Sequence, residues 1–161
     1  MFFYLMHIVH VLTVILWIGG LAFVTSVVLP MAIRTPDTLQ KVLLFQRIEH
    51  RFAGLARIYV VITGVSGFAM IFTTDWHRLL FTMAGLALTA MTLIWVFWFV
   101  MLFGLEPLII RKMLENMAKG GTKLEIDTVF KRLNAVHWAM VFISLVAATA
   151  GVFVAHGLQI F

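Results

Sequence analysis

From Phe2 to Ile33 the chain has no Asp, Glu, Lys or Arg. Wound as a helix, this run is about 48 Å long, more than the ~30 Å hydrocarbon layer of a bilayer. It is too long for the apolar region of a signal peptide and lacks a basic segment ahead of it, so it reads as a retained transmembrane helix. Apolar spans recur at Ile58–Phe72, Leu79–Leu105 and about Asn134–Val154. The composition agrees: 63% of residues are apolar and 12% charged, against roughly half and a quarter in soluble domains. The expected fold is all-α: an integral membrane up-down four-helix bundle with cytoplasmic helix extensions, forming one domain over residues 1–161. Its helices are expected at about 2–33, 36–73, 76–118 and 122–157.

Local signals mark the helix ends. Thr35 with Pro36 at the first helical position starts the second helix, and Asp75 is a candidate N-cap for the third. Glu106-Pro107 is a candidate kink, Gly120-Gly121 a stop, and Thr122 with Glu125 a capping box. Of the 12 Lys and Arg, all but Arg78 belong to the end of the bundle carrying the first and third connections. By the positive-inside rule that end is cytoplasmic and both termini face out. The same charges explain a pI near 10.1; they are spread over two connections without a set of stacking aromatics, which argues against nucleic acid. The absence of cysteine excludes disulfides, thiolate metal sites, c-type haem attachment and Cys-held iron–sulfur clusters. No nucleophile–base pair, phosphate loop or paired carboxylate motif is present, so no catalytic residue is assigned.

Chemistry therefore rests on histidine. His7 and His10 lie three apart on one face of the first helix, and ionisable groups in a membrane span are functional candidates. Trp17 follows two turns on, and Gly19 and Gly20 leave room for a neighbouring helix or a flat ligand. Counted by helical rise, His7, His10, His77 and His156 fall near the outer end. His50 and His137 each lie about 20 Å in from the cytoplasmic end. His50 and His137, on diagonal helices at one height, are the expected axial ligands of a b-type haem. Ala53 and Gly54 would leave space for the porphyrin, and Arg47, Arg51, Arg57, Lys131 and Arg132 could neutralise its propionates. A second haem would use His10 with His7, His77 or His156. Alternatively the outer residues His7, His10, Met6, Met70 and Met83 form a soft donor set suited to copper.

The segment His10-Val-Leu-Thr-Val-Ile-Leu-Trp17-Ile-Gly19-Gly20-Leu21, with Leu29-Pro30 after it, resembles the first helix of the copper-resistance protein D-like membrane family and of the related HemJ-type protoporphyrinogen oxidases. Arg47-Ile-Glu49-His50-Arg51-Phe52 with Thr63-Gly64 looks like the start of their second helix. Phe130-Lys-Arg-Leu-Asn134 is similar to the stretch opening the last HemJ helix. The resemblance implies a four-helix protein of the bacterial inner membrane. On the HemJ side it implies haem b with His10 at the matching ligand position; on the other side it implies copper handling. The chain departs from HemJ at Ala135-Val136-His137, which replaces Glu-Val-Pro, and at His50, which replaces Arg. These departures add two histidines and favour a haem-carrying relative over the oxidase.

The expected function is that of a haem-b-binding inner-membrane protein, cytochrome b-like with bis-His ligation and one or two haems, passing electrons to or from a quinone or a periplasmic redox partner. The alternatives are a copper transport or copper-resistance protein, a HemJ-like oxidase and a structural subunit of a respiratory complex. Membrane lipid is an expected partner, as is a second copy of the chain.

Overall fold

The computed structural model describes residues 1–105, 108 and 123–156, with positions 123 and 124 in backbone only. Four helices account for nearly all of it: α1 (Phe2–Arg34), α2 (Thr38–Thr73), α3 (Leu86–Leu105) and α4 (Lys123–Ala155). Each is long and apolar enough to cross a membrane. Among the described residues there is no strand.

Contacts between the helices fix their directions. Along α1, His10, Gly20 and Leu29 meet Ser66, Phe52 and Phe45 of α2, so the two run antiparallel. Along α3, Met91 lies against Gly151 and Trp98 clusters with Val141, so α4 runs antiparallel to α3. Trp95 packs on Gly64 and Arg57 reaches Leu102, which makes α3 antiparallel to α2 as well. The helices thus alternate in direction around a shared bundle core. End A is the end carrying His7 and the α2–α3 connection; end B carries the Thr35–Asp37 turn.

Two apolar cores lie along the bundle. The central one joins Trp17 and Leu21 of α1, Ala56 and Val60 of α2, Trp98 and Leu102 of α3, and Val141 of α4. Trp17 and Trp98 meet edge to face at 5.1 Å between centroids. The second, toward end B, packs Leu29 and Ala32 on Val42, Phe45, Ile126 and Phe130. Outward faces are apolar too: Ile8, Leu12, Ile15, Phe142 and Leu145 are all exposed. Helices apolar all round suit a lipid surround rather than water.

Two helices carry a π-helical turn two residues ahead of a proline. Val24–Val28 precedes Pro30, and Met101–Leu105 precedes Pro107. A proline removes one N–H and crowds the preceding turn, and widening that turn relieves the crowding. In the first case the Thr25 and Ser26 hydroxyls donate back to the Leu21 and Ala22 carbonyls at 2.8 and 2.6 Å. In the second, residue i+5 from Leu102 is the proline and has no N–H to give. The Leu102 carbonyl takes the Arg57 Nε–H instead, at 2.9 Å.

Two helix starts differ from expectation. Asp37, not Thr35, caps α2: its Oδ1 accepts the Gln40 N–H at 2.7 Å, while the Thr35 hydroxyl closes α1 on the Met31 carbonyl at 3.1 Å. The third helix begins at Leu86 rather than residue 76. Asp75 and Phe81 have φ of 59° and 62°, in the left-handed region that interrupts a right-handed helix. Between them runs only the 3₁₀ turn Trp76–Leu79, and Asp75 makes no side-chain cap. The expected kink at Glu106-Pro107, the extension Arg111–Lys119, the Gly120-Gly121 stop, the Thr122 cap and the far ends of the third and fourth helices lie outside the described residues.

At end B the Lys41 ammonium, 5% exposed, pairs with Asp127 and sits 5.7 Å over the Phe130 ring. Removing one partner of such a pair strands a buried charge. Asp127→Ala is expected to lower stability by about 1–3 kcal/mol, the partial exposure of Asp127 tempering the loss. The double change Lys41→Met/Asp127→Ala should recover most of it. Thermal unfolding followed by circular dichroism in detergent checks both.

Candidate functional site

Four polar residues of α1 and α2 meet inside the bundle. His10 and Thr13 of α1 face Thr63 and Ser66 of α2. His10 Nδ1 lies 2.9 Å from the Thr63 carbonyl and 3.2 Å from Ser66 Oγ. The Thr63 hydroxyl donates to Thr13 Oγ1 at 2.9 Å, and Thr13 in turn donates to the Val9 and His10 carbonyls. Ser66 donates to the Ile62 and Thr63 carbonyls of its own helix, at 2.7 and 3.1 Å. A carbonyl can only accept, so the proton of neutral His10 sits on Nδ1. Nε2 then carries the lone pair. This is the tautomer of metal-ligating histidines, whose other nitrogen donates to a carbonyl or carboxylate.

His10 lines a cavity of about 900 Å³ between all four helices. His7 and His156 line it as well, with Trp17, Trp76, Trp95 and Met70 among its walls. The volume is near the top of the range of about 300–1,000 Å³ for small-molecule and cofactor sites. Small residues shape it. A Cβ on Gly67 would stand 3.1 Å from His10 Cε1, so the imidazole lies closely against the α2 backbone there. A Cβ on Gly64 would run into the Trp95 ring, whose Nε1–H donates to the Val60 carbonyl at 2.9 Å. His156 Nδ1 bonds the Val152 carbonyl at 2.9 Å, which selects the same tautomer as in His10. At end A, Phe3 stands between His7 and Trp76, 6.0 Å from each ring.

The connection that carries Trp76 to the cavity is tightly tied. Phe81 N–H donates to Thr89 Oγ1 at 2.9 Å, and the Thr82 hydroxyl to the Leu79 carbonyl at 2.6 Å. Gly85 is required there, since a Cβ would overlap the Leu79 carbonyl.

The structure gathers His7, His10, His156 and Met70 at this cavity; the other expected site residues lie elsewhere. His50 is exposed on α2. His137 Nδ1 bonds the Leu133 carbonyl of its own helix at 2.9 Å, and its ring lies edge-on to Phe45. Neither lines the cavity, and the core at that level is filled by Phe45 against Phe130 at 5.4 Å. Arg51 is exposed on the α1–α2 side, and Arg57 is turned to Leu102. His77 stacks on Phe72 at 5.7 Å. Met6 is absent from the cavity wall, and Met83 is 74% exposed. Among the described residues no three His, Asp or Glu side chains are placed to hold a metal ion together. Gly20, expected to admit a helix or a ligand, admits the helix: the Phe52 ring of α2 lies against it. Thr63 and Ser66 went unassigned in the sequence; the signal was a pair of hydroxyls three apart in an apolar run.

No family model, curated protein or solved structure matches the chain. The site therefore stands on its own geometry.

Gly64→Ala is expected to destabilise the protein by about 1–3 kcal/mol, because Trp95 must leave its place. Gly19→Ala, at a position where a Cβ meets nothing within 4 Å, should leave stability within about 0.5 kcal/mol of the parent. Parallel thermal melts separate the two.

Proposed function

We propose that the protein is a haem-b-binding membrane protein of the electron-transfer kind, with the haem in the end A cavity. The observation that carries this is His10: an imidazole tied to α2 through Nδ1, in the tautomer that keeps Nε2 free to bind iron, on the wall of a cavity of about 900 Å³. The resemblance of the first helix to HemJ-type proteins supports the same residue. His156, on a different helix, in the same tautomer and on the same cavity wall, is the residue best suited to hold the haem with His10, with His7 next. The haem would supply a one-electron centre. The chain's own residues would fix its orientation through His10, exclude water with Trp17, Trp76 and Trp95, and keep the surroundings apolar.

In this reading the four helices span the bacterial inner membrane. End B, with its excess of Lys and Arg, faces the cytoplasm and end A the periplasm. The redox partner would be a quinone in the bilayer or a periplasmic carrier. His50 and His137 have no part in it.

Protein purified from haem-sufficient cells is expected to show a sharp α-band on dithionite reduction. His10→Ala should abolish it, while His50→Ala and His137→Ala retain it. Ser66→Ala, which leaves the Thr63 carbonyl bond in place, should weaken haem retention by up to about tenfold. A colourless protein carrying copper that His10→Ala removes would support the copper alternative instead. A colourless protein without metal would leave only a structural subunit.

A further inference from the structure

α1 has 33 residues, about 50 Å of helix against the ~30 Å hydrocarbon layer. With its end A turn at one membrane interface, the other interface falls about 20 residues on, near Leu21 to Val24. At that level a groove of about 300 Å³ opens between α1 and α2. Phe23, Val24, Phe52 and Leu55 line it, and Arg47 and Arg51 border it. The two arginines are one helical turn apart, so they share a face. Both are exposed, and among the described residues neither has an ion pair or a hydrogen bond. Among the described residues no acid lines the groove.

Two unpaired guanidiniums beside an apolar trough match one chemistry. A guanidinium fork binds phosphate oxygens bidentately, and basic residues at the cytoplasmic surface draw anionic lipid. Phe23, Val24 and Leu55 suit an acyl chain. A zwitterionic headgroup would bring a second cation toward two others, so the net charge selects an anionic lipid.

We propose that this groove is a seat for one anionic phospholipid of the end B leaflet, its phosphate between Arg47 and Arg51 and an acyl chain along the trough. The inference rests on the membrane reading given above but not on haem.

Native mass spectrometry of the full chain in neutral detergent, titrated with phosphatidylglycerol or phosphatidylcholine, tests it. The unaltered protein should hold one phosphatidylglycerol more tightly than phosphatidylcholine. Arg47→Gln/Arg51→Gln should weaken the phosphatidylglycerol adduct about 20–30-fold and leave phosphatidylcholine unchanged. Arg132→Gln, an exposed change elsewhere at end B, should weaken neither. Arg47→Lys/Arg51→Lys, which keeps the charge and loses the fork, should fall between and guards against a folding defect. Equal phosphatidylglycerol retention by parent and double Gln variant overturns the proposal. So does displacement of the lipid by excess inorganic phosphate, which would mark a free-phosphate site. Alkaline carbonate extraction of cell membranes tests the underlying reading separately: protein released to the supernatant would overturn membrane insertion whatever the lipid result.

Discussion

Everything at end A depends on one polar contact in an apolar setting: the hydrogen bond from His10 of α1 to the Thr63 carbonyl of α2. In a low-dielectric interior a bond of this kind is strong, and its loss leaves buried polar groups unpaired. The Thr63–Thr13 hydroxyl bond, 2.9 Å long, runs beside it in the opposite direction. Together they set the register of the two most closely packed helices. They also set the chemistry, since the carbonyl dictates which imidazole nitrogen keeps its proton. Fold and site are thus one device. The bond that fastens α1 to α2 also leaves the lone pair of His10 on Nε2.

The rest of the bundle keeps His10 on the wall of a cavity. Gly64 and Gly67 hold the α2 wall low, and Trp95 leans into the room Gly64 provides. Trp17 lines the cavity and packs edge to face on Trp98, which lies outside it. Farther toward end B the interior is solid, with Phe45 and Phe130 in contact and Lys41 paired to Asp127. The bundle is therefore open at one end and filled at the other.

Much of this was legible in the sequence. Apolar runs and charge placement gave four helices, because transfer into lipid tolerates few departures from the pattern. His10 stood out too, since an ionisable residue in such a run needs a polar partner, and Thr63 and Ser66 supply one. What could not be read was azimuth. His50 and His137 match in height, but height says nothing about direction. Val42, Phe45, Ala53, Ala56 and Val60 line one side of α2, and at 100° per residue His50 falls about a quarter turn away from them. The partners Thr63 and Ser66 depend on the register between helices, which no local pattern carries. The late start of α3 reflects a left-handed Phe81 whose N–H is held by Thr89, a contact eight residues away.

The central claim is that the α1–α2 contact holds His10 as the Nδ1–H tautomer, with Nε2 left unprotonated. Nitrogen-15 NMR of histidine-labelled protein, with the His10 signals assigned by their loss in His10→Gln, reads this directly. The account predicts a protonated Nδ1 and an unprotonated Nε2 in His10 of the haem-free protein. A proton on Nε2, with Nδ1 bare, would contradict it.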